Sequence, residues 1–323
     1  MNARSTGSAA GWIATAMLLV LLAIAPSLAA RGTLSMLLTL LLYAALAQAW
    51  NLVGGFAGQF SLGHSALLGA GGYTTGMLLL KADVPLAVSL PASGLAGAVL
   101  AFVISVGLMR LRGVYFVIAT LAVTLAAHSW MVSWELTGAS RGLNLPVSDL
   151  PDWQVIYYLA LGLTVAVTAA AWWLTWSAFG LRVMAVRDDE DAARSLGVDG
   201  TGIKAIVFAL SGFFTGALGA VVALNQIALV PDNLLGLSWT VNMVVMTIIG
   251  GLGSVAGPLV GATVVYFLIE KQLEGQPELA AVMSGILVIG IIRVAPDGVW
   301  GLLKLAANRL RRLAQRTVPI DRR

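Results

Sequence analysis

The run TLSMLLTLLLYAALAQAWNLV, residues 33–53, contains no charged side chain. It matches the ~20 residues a helix needs to cross a ~30 Å hydrocarbon slab. Similar runs follow at roughly 60–80, 86–109, 114–134, 154–176, 203–229 and 279–294, and one precedes it at 11–30. One more, at 239–269 and eighth in chain order, is too long for one span and too short for two full ones, and Gly250, Gly251 and Gly253 interrupt it. It is read as two half-helices in a shallow hairpin. The expected fold is therefore all-α: a polytopic membrane protein with about ten transmembrane segments. The first span also resembles a secretory signal, with Arg4 ahead of it and the small residues Ser27 and Ala29 at its end; a retained helix is the favoured reading.

Composition agrees. Of 323 residues, 59% are hydrophobic and 11% charged, against about 25% charged in an ordinary soluble domain. There is no cysteine and there are only two histidines, His64 and His128, far apart in sequence, so neither disulfides nor a metal site is expected. Nothing points to nucleic acid. The charges sort by loop. If the 110–113, 177–204 and C-terminal segments, with Arg4 and Arg293, face the cytoplasm, all but Arg31, Lys81, Arg141 and Lys271 of the nineteen Lys and Arg residues lie inside, as the positive-inside rule requires. Asp83, Glu135, Asp149, Asp152, Asp232, Glu270, Glu274 and Glu278 then lie outside. This orientation needs 239–269 to enter and leave on the same side. The chain divides into an N-terminal extra span (1–32), a membrane core (33–300) with a polar segment at 177–202, and a basic tail (301–323) that can lie on anionic lipid as an amphipathic helix.

No span so drawn holds Asp or Glu in its interior. Transporters driven by protons or sodium generally keep an ion-binding group at membrane depth, so the energy is expected from elsewhere. The segment from Ser177 to Gly202 reads as a short helix: Asp188 or Asp189 can cap it, Glu190 and Asp191 meet the positive end of its dipole, and Gly197 ends it. Ala192, Ala193 and Leu196 give it a small apolar face, which suits either a solvated surface helix or a plug for a partner's groove.

The block Asn51 to Gly76 is dense in glycine, and broken backbone in a bilayer is tolerated only where protein or a water-filled cavity covers it. Close helix packing explains it; so does a pathway lining in which Asn51, Gln59, Ser61 and His64 offer polar contacts. Asn242, ahead of the second glycine break, is a similar candidate. The stretch GGLGSVAGPLVGATVVYF at 250–267 weakly echoes GGFAGQFSLGHSALLGAGGY at 54–73, as internal duplication or chance would produce. His128, beside Trp130 and Trp134, and the cluster Trp172, Trp173 and Trp176 fit interfacial belts.

Several motifs occur in one order: N-L-x-x-G-x-x-G-Q-x-S-L-G-H at 51–64, L-R-G-V-Y-F-x-I-x-T-L at 111–121, Phe179-Gly180-Leu181-Arg182 leading into A-V-R-D-x-E-x-A-A at 185–193, and I-I-G-G-L-G-S at 248–254. Together they resemble the permease subunits of branched-chain amino acid ATP-binding-cassette (ABC) importers, the M-type partner of an H/M heterodimer. Asp191-Ala192-Ala193-Arg194-Ser195-Leu196-Gly197 is similar to the EAA-x-x-x-G signature of such permeases, with Asp in place of Glu and without the apolar and proline residues that continue it.

The resemblance implies a coupling helix that docks on an ATPase subunit, carried here by Phe179, Gly180, Arg182, Arg187, Asp188, Asp189, Glu190, Asp191, Ala192, Ala193, Leu196 and Gly197. It further implies an H-type permease partner, two ATPases that bind the ATP, a periplasmic solute-binding protein and a place in the bacterial inner membrane. The chain itself would be neither an enzyme nor a cofactor carrier. Relatives carrying urea or short amides fit the motifs equally, and a self-sufficient secondary transporter is the rival class.

Overall fold

A computed structural model describes residues 9–108, 110–146, 150–273 and 275–306. Arg4, Asp149, Glu274 and the tail residues Arg309, Leu310, Arg311, Arg312, Arg316, Asp321, Arg322 and Arg323 lie outside the described residues. The chain is helical nearly throughout: α1 (Ala9–Leu28), α2 (Arg31–Asn51), α3 (His64–Lys81), α4 (Leu86–Leu108), α5 (Val114–Ser133), α6 (Trp153–Trp176), α7 (Ala178–Asp188), α8 (Glu190–Ser195), α9 (Gly200–Gln226), α10 (Pro231–Leu234), α11 (Leu237–Gly250), α12 (Gly257–Val265) and α13 (Pro277–Val294). A further helix, α14, spans Gly298–Ala306 and is bent 44° from α13. A two-residue antiparallel pairing of Leu143–Asn144 with Ala228–Leu229 is the sheet content of the described residues.

Among the described residues, six helices are long and apolar enough to cross a membrane, or seven if α13 and α14 form one bent span. The all-α, multi-pass architecture is as expected. The count of ten is reached only by adding α1, α3 and the α12 half of the hairpin, none of which is by itself a long apolar span. For α3, the expected span 60–80 starts as helix only at His64, because Thr120 and Thr124 of α5 bond the Leu62 backbone and hold the preceding turn in irregular form.

Burial separates centre from periphery. In the most apolar windows of α2 and α9, 72% of residues are buried, against 22% in α5. Exposed Val99, Phe102, Val103 and Val106 on α4, with Ile118, Leu125 and Trp130 on α5, therefore face lipid, where exposure of apolar side chains carries no penalty. In a bilayer there is little hydrophobic drive between helices, so close backbone contact does the packing. Gly71 of α3, Gly97 of α4 and Gly212, Gly216 and Gly219 of α9 provide it; a Cβ at any of them would strike the neighbouring helix's backbone. Thr75 and Ser93 add an interhelical hydroxyl pair at 2.6 Å. A second, smaller core of Ala44, Ala47, Val245, Met246, Ile249, Ala262, Val265 and Ile269 joins α2 to α11 and α12.

The 239–269 run breaks where its glycines stand. Gly250 meets Gly257 and Gly261, and Gly261 meets Met246 and Gly250, so α11 and α12 lie antiparallel in contact. A π-helical stretch, Tyr266–Glu270, prolongs α12. Glu270, assigned from sequence to an outer loop, is thus the last residue of this helix and is half-buried.

Candidate functional site

Ser177 starts α7: its Oγ accepts from the Gly180 N–H at 2.9 Å. A Cβ at Gly180 would overlap the Leu174 carbonyl, so only glycine lets α7 fold this tightly onto the end of α6. Phe179 stacks on Trp173 at 5.7 Å, and Arg182 is exposed. The single short helix expected in 177–202 is two helices. Asp189 leaves helical geometry (φ −155°, ψ 105°) and caps α8, its Oδ1 accepting from the Asp191 and Ala192 N–H groups at 3.0 and 2.9 Å. Gly197, at φ +84°, ends it in the left-handed region that glycine occupies without strain. Cap and stop thus fall where sequence chemistry puts them.

The apolar face does not. Ala193 is buried in the chain's own core, while Ala192 is exposed and Leu196 is 85% exposed. The charges on α8 turn the same way. Glu190, with its side chain 13% exposed, accepts from Lys204 Nζ at 2.8 Å and Arg194 at 3.4 Å and forms an ion pair with Arg112 Nε at 3.3 Å. Asp191 accepts two bonds from Arg112, at 2.9 and 3.1 Å. The hydrogen bond from Arg112 and its charge hold the Asp191 carboxyl below its ordinary value, and Asp191 raises Arg112 in turn. So α8 is latched to the α4–α5 connection and to the first turns of α9.

Arg187 carries the segment further. Its guanidinium pairs with Asp188 at 2.8 Å and donates to the Gly55 carbonyl at 3.4 Å. Its stem fills the space that a Cβ on Gly58 would need, and Nη1 lies beside Gly253. The two glycine-rich stretches that echo each other in sequence therefore meet under one side chain. Asn51 ties them together, accepting from Gly253 N at 2.9 Å and donating to the Ser254 carbonyl at 3.0 Å. Gln48 donates to the Val255 carbonyl at 3.1 Å, and Thr247 to that of Ala47 at 3.0 Å.

The first break is pinned by other helices. Trp50 Nε1 donates to the Ser61 carbonyl at 2.8 Å, Ser61 Oγ accepts from Gly63 N, and Thr120 and Thr124 hold both ends of the Leu62 peptide unit. His64, fully buried, contacts Ser211 Oγ at 2.9 Å. Since Ser211 spends its proton on the Ala49 carbonyl, His64 Nε2 is the donor and carries a proton. Gln59 is buried in the same turn, its N–H on the Val53 carbonyl. Asn51, Gln59, Ser61 and His64 thus converge at the breaks. Asn242 stands apart, donating to Glu270 at 3.3 Å.

Sequence reasoning missed Arg112, Lys204, Gln48, Thr247 and Glu270. The sign of charge on loops of one face could have suggested Arg112 with Glu190; the others needed the third dimension. Among the described residues, no group of three or more His, Cys, Asp or Glu side chains is arranged to hold a metal ion.

A lipid-embedded helix bundle with two broken spans, both touched by one arginine from a charged surface segment, is built as a transport permease. Residues 32–292 match the family described as "Branched-chain amino acid transport system / permease component", and the chain belongs to that family. It is 25% identical over 307 residues to the high-affinity branched-chain amino acid transport system permease protein LivM of Salmonella typhimurium and 26% identical over 305 residues to LivM of Escherichia coli, covering 85% of this chain and 72% of each relative. It is also 28% identical over 193 residues to the autoinducer 2 import system permease protein LsrC of Escherichia coli, with 57% of this chain and 56% of that one aligned. No solved structure matches. The chain is a LivM-like, multi-pass inner-membrane permease, and its relatives are transport subunits rather than enzymes.

Proposed function

We propose that this chain lines the translocation pathway of an ATP-driven importer of branched-chain amino acids, paired with an H-type permease, fed by a periplasmic binding protein and driven by two cytoplasmic ABC ATPases. In this reading it has ten membrane segments, counting α1, α3 and the two halves of the α11–α12 hairpin. The 177–202 side faces the cytoplasm, as does the C-terminus. The observation that carries the reading is Arg187: a surface segment with the ABC-permease signature reaches, through one side chain, both places where the spans are broken. Exposed Ala192 and Leu196 dock on the ATPase; closure of the ATPase dimer moves α7 and α8, and Arg187 passes that movement to the Gly55 and Gly253 turns. Pathway helices packed through glycine then alternate their access.

Arg187→Glu combined with Ala192→Asp should abolish ATP-dependent leucine uptake and co-purification of the ATPase while membrane insertion stays intact. Unchanged uptake in that double variant removes the coupling role. The LsrC matches favour a second reading of the cargo, a different small solute, which competition of leucine uptake by other solutes decides.

A further inference from the structure

Where α2 meets the π-helical end of α12, a cleft of about 510 Å³ opens, lined by Gly32, Thr33, Ser35, Met36, Thr39, Tyr43, Tyr266, Glu270 and Lys271. That volume lies within the roughly 300–1,000 Å³ typical of small-ligand sites. By the charge distribution of the loops it faces the periplasm, at the end opposite α7 and α8. At its floor Glu270 is held by the Asn242 amide at 3.3 Å and by the Tyr43 hydroxyl. Neither is a cation, and no ion pair to Glu270 occurs among the described residues. A half-buried carboxylate is costly unless something charged comes to it. Two held contacts leave about two of its four lone-pair sites open.

Lys271, next in sequence, is not spent on Glu270: its Nζ lies 3.7 Å from Met36 Sδ and 5.7 Å from the Phe267 ring centroid. An acid and a base, kept apart and flanked by Met36, Tyr43 and Tyr266, present opposite charges and an apolar wall to one small molecule.

We propose that this cleft is an outer binding site for a zwitterionic, apolar α-amino acid, with Glu270 receiving the ammonium group and Lys271 the carboxylate. The inference rests on the importer reading above and adds a place where the permease itself selects the cargo. The glutamate ends a π-helical stretch, an irregularity that recurs at functional sites.

The chain has no cysteine, so Thr39→Cys gives a single reporter on the cleft wall. In spheroplasts carrying the whole transporter, a membrane-impermeant thiol reagent added from outside should label it. L-leucine should slow that labelling and 4-methylpentanoate, which lacks the ammonium, should not. Adding Glu270→Gln should raise the leucine concentration needed for protection about tenfold or more, as expected for loss of one charge-assisted hydrogen bond. Ser35→Cys at the cleft rim serves the same purpose if Thr39→Cys does not reach the membrane. Absence of leucine protection, or protection unchanged by Glu270→Gln, overturns the site. ATP-driven leucine uptake by the parent, measured in parallel, separates the two readings: uptake without protection sinks the cleft alone, whereas no ATP-driven uptake sinks the importer assignment.

Discussion

The two glycine breaks are similar in composition and opposite in wiring. Residues 57–63 are fastened by α5 through Thr120 and Thr124 and by α2 through Trp50, with Ser211 of α9 holding the flanking Ala49 and His64. Residues 251–256 are fastened to α2 alone, through Asn51 and Gln48, and lean on Gly298 at the bend between α13 and α14. Glycine therefore serves two ends in one molecule. At the first break it makes a rigid turn, and at the second it makes one held by a few hydrogen bonds from a single helix. Under the proposed coupling role of Arg187, the same push would move the less anchored turn further.

The strongest way to separate the breaks is steric. Gly261→Leu drives a side chain into the α11 backbone at Met246 and Gly250, and overpacking of that kind should cost about 3 kcal/mol or more. At Gly63, a Cβ would meet Ser61 and Thr120 no closer than 3.4 Å, so Gly63→Ala should change stability by less than about 1 kcal/mol. Thermal unfolding of the purified chain in detergent checks both, and equal effects would erase the distinction.

Asn51→Leu strands the Gly253 N–H and the Ser254 carbonyl, at about 2–4 kcal/mol for two unsatisfied groups. Hydrogen exchange should rise at 251–256 and stay low at 57–63. Ser211→Ala should do the reverse, more weakly: losing the Ala49 and His64 contacts costs about 1–2 kcal/mol and loosens the first break only.

The smallest effect concerns pH. Because Asp191 is held below its ordinary value of 3.8, its pairing with Arg112 contributes fully above that value and is lost as pH falls through the lower folded value. Transport activity should therefore show no step attributable to this pair between about pH 5 and 8. Comparing the pH profile of Asp191→Asn with that of the wild type over that range checks it.

How much of this the sequence disclosed depended on range. Asp189 and Gly197 were legible because capping and left-handed geometry are local chemistry. The break after Gly250 was legible because a helix tolerates three glycines in four residues poorly. The extension of α7 through 178–188 was hidden by its mixed composition, and α3 starts late because Thr120 and Thr124, some sixty residues away in sequence, capture the preceding turn. Asn51 read as a pathway lining because nothing in its neighbourhood announces that its partners are Gly253 and Ser254. Glu270 sat one residue beyond a hydrophobic window, and only the fold places it on a helix.

The central claim is that α7 and α8 work on the breaks through Arg187. The cysteine-free chain permits its direct test: spin labels on Phe60→Cys and Leu252→Cys, both partly exposed, report the separation of the two turns in the assembled transporter. The account predicts that a non-hydrolysable ATP analogue shifts that distance in the parent and leaves it unmoved when Arg187→Ala is added. An equal shift without the arginine would contradict it.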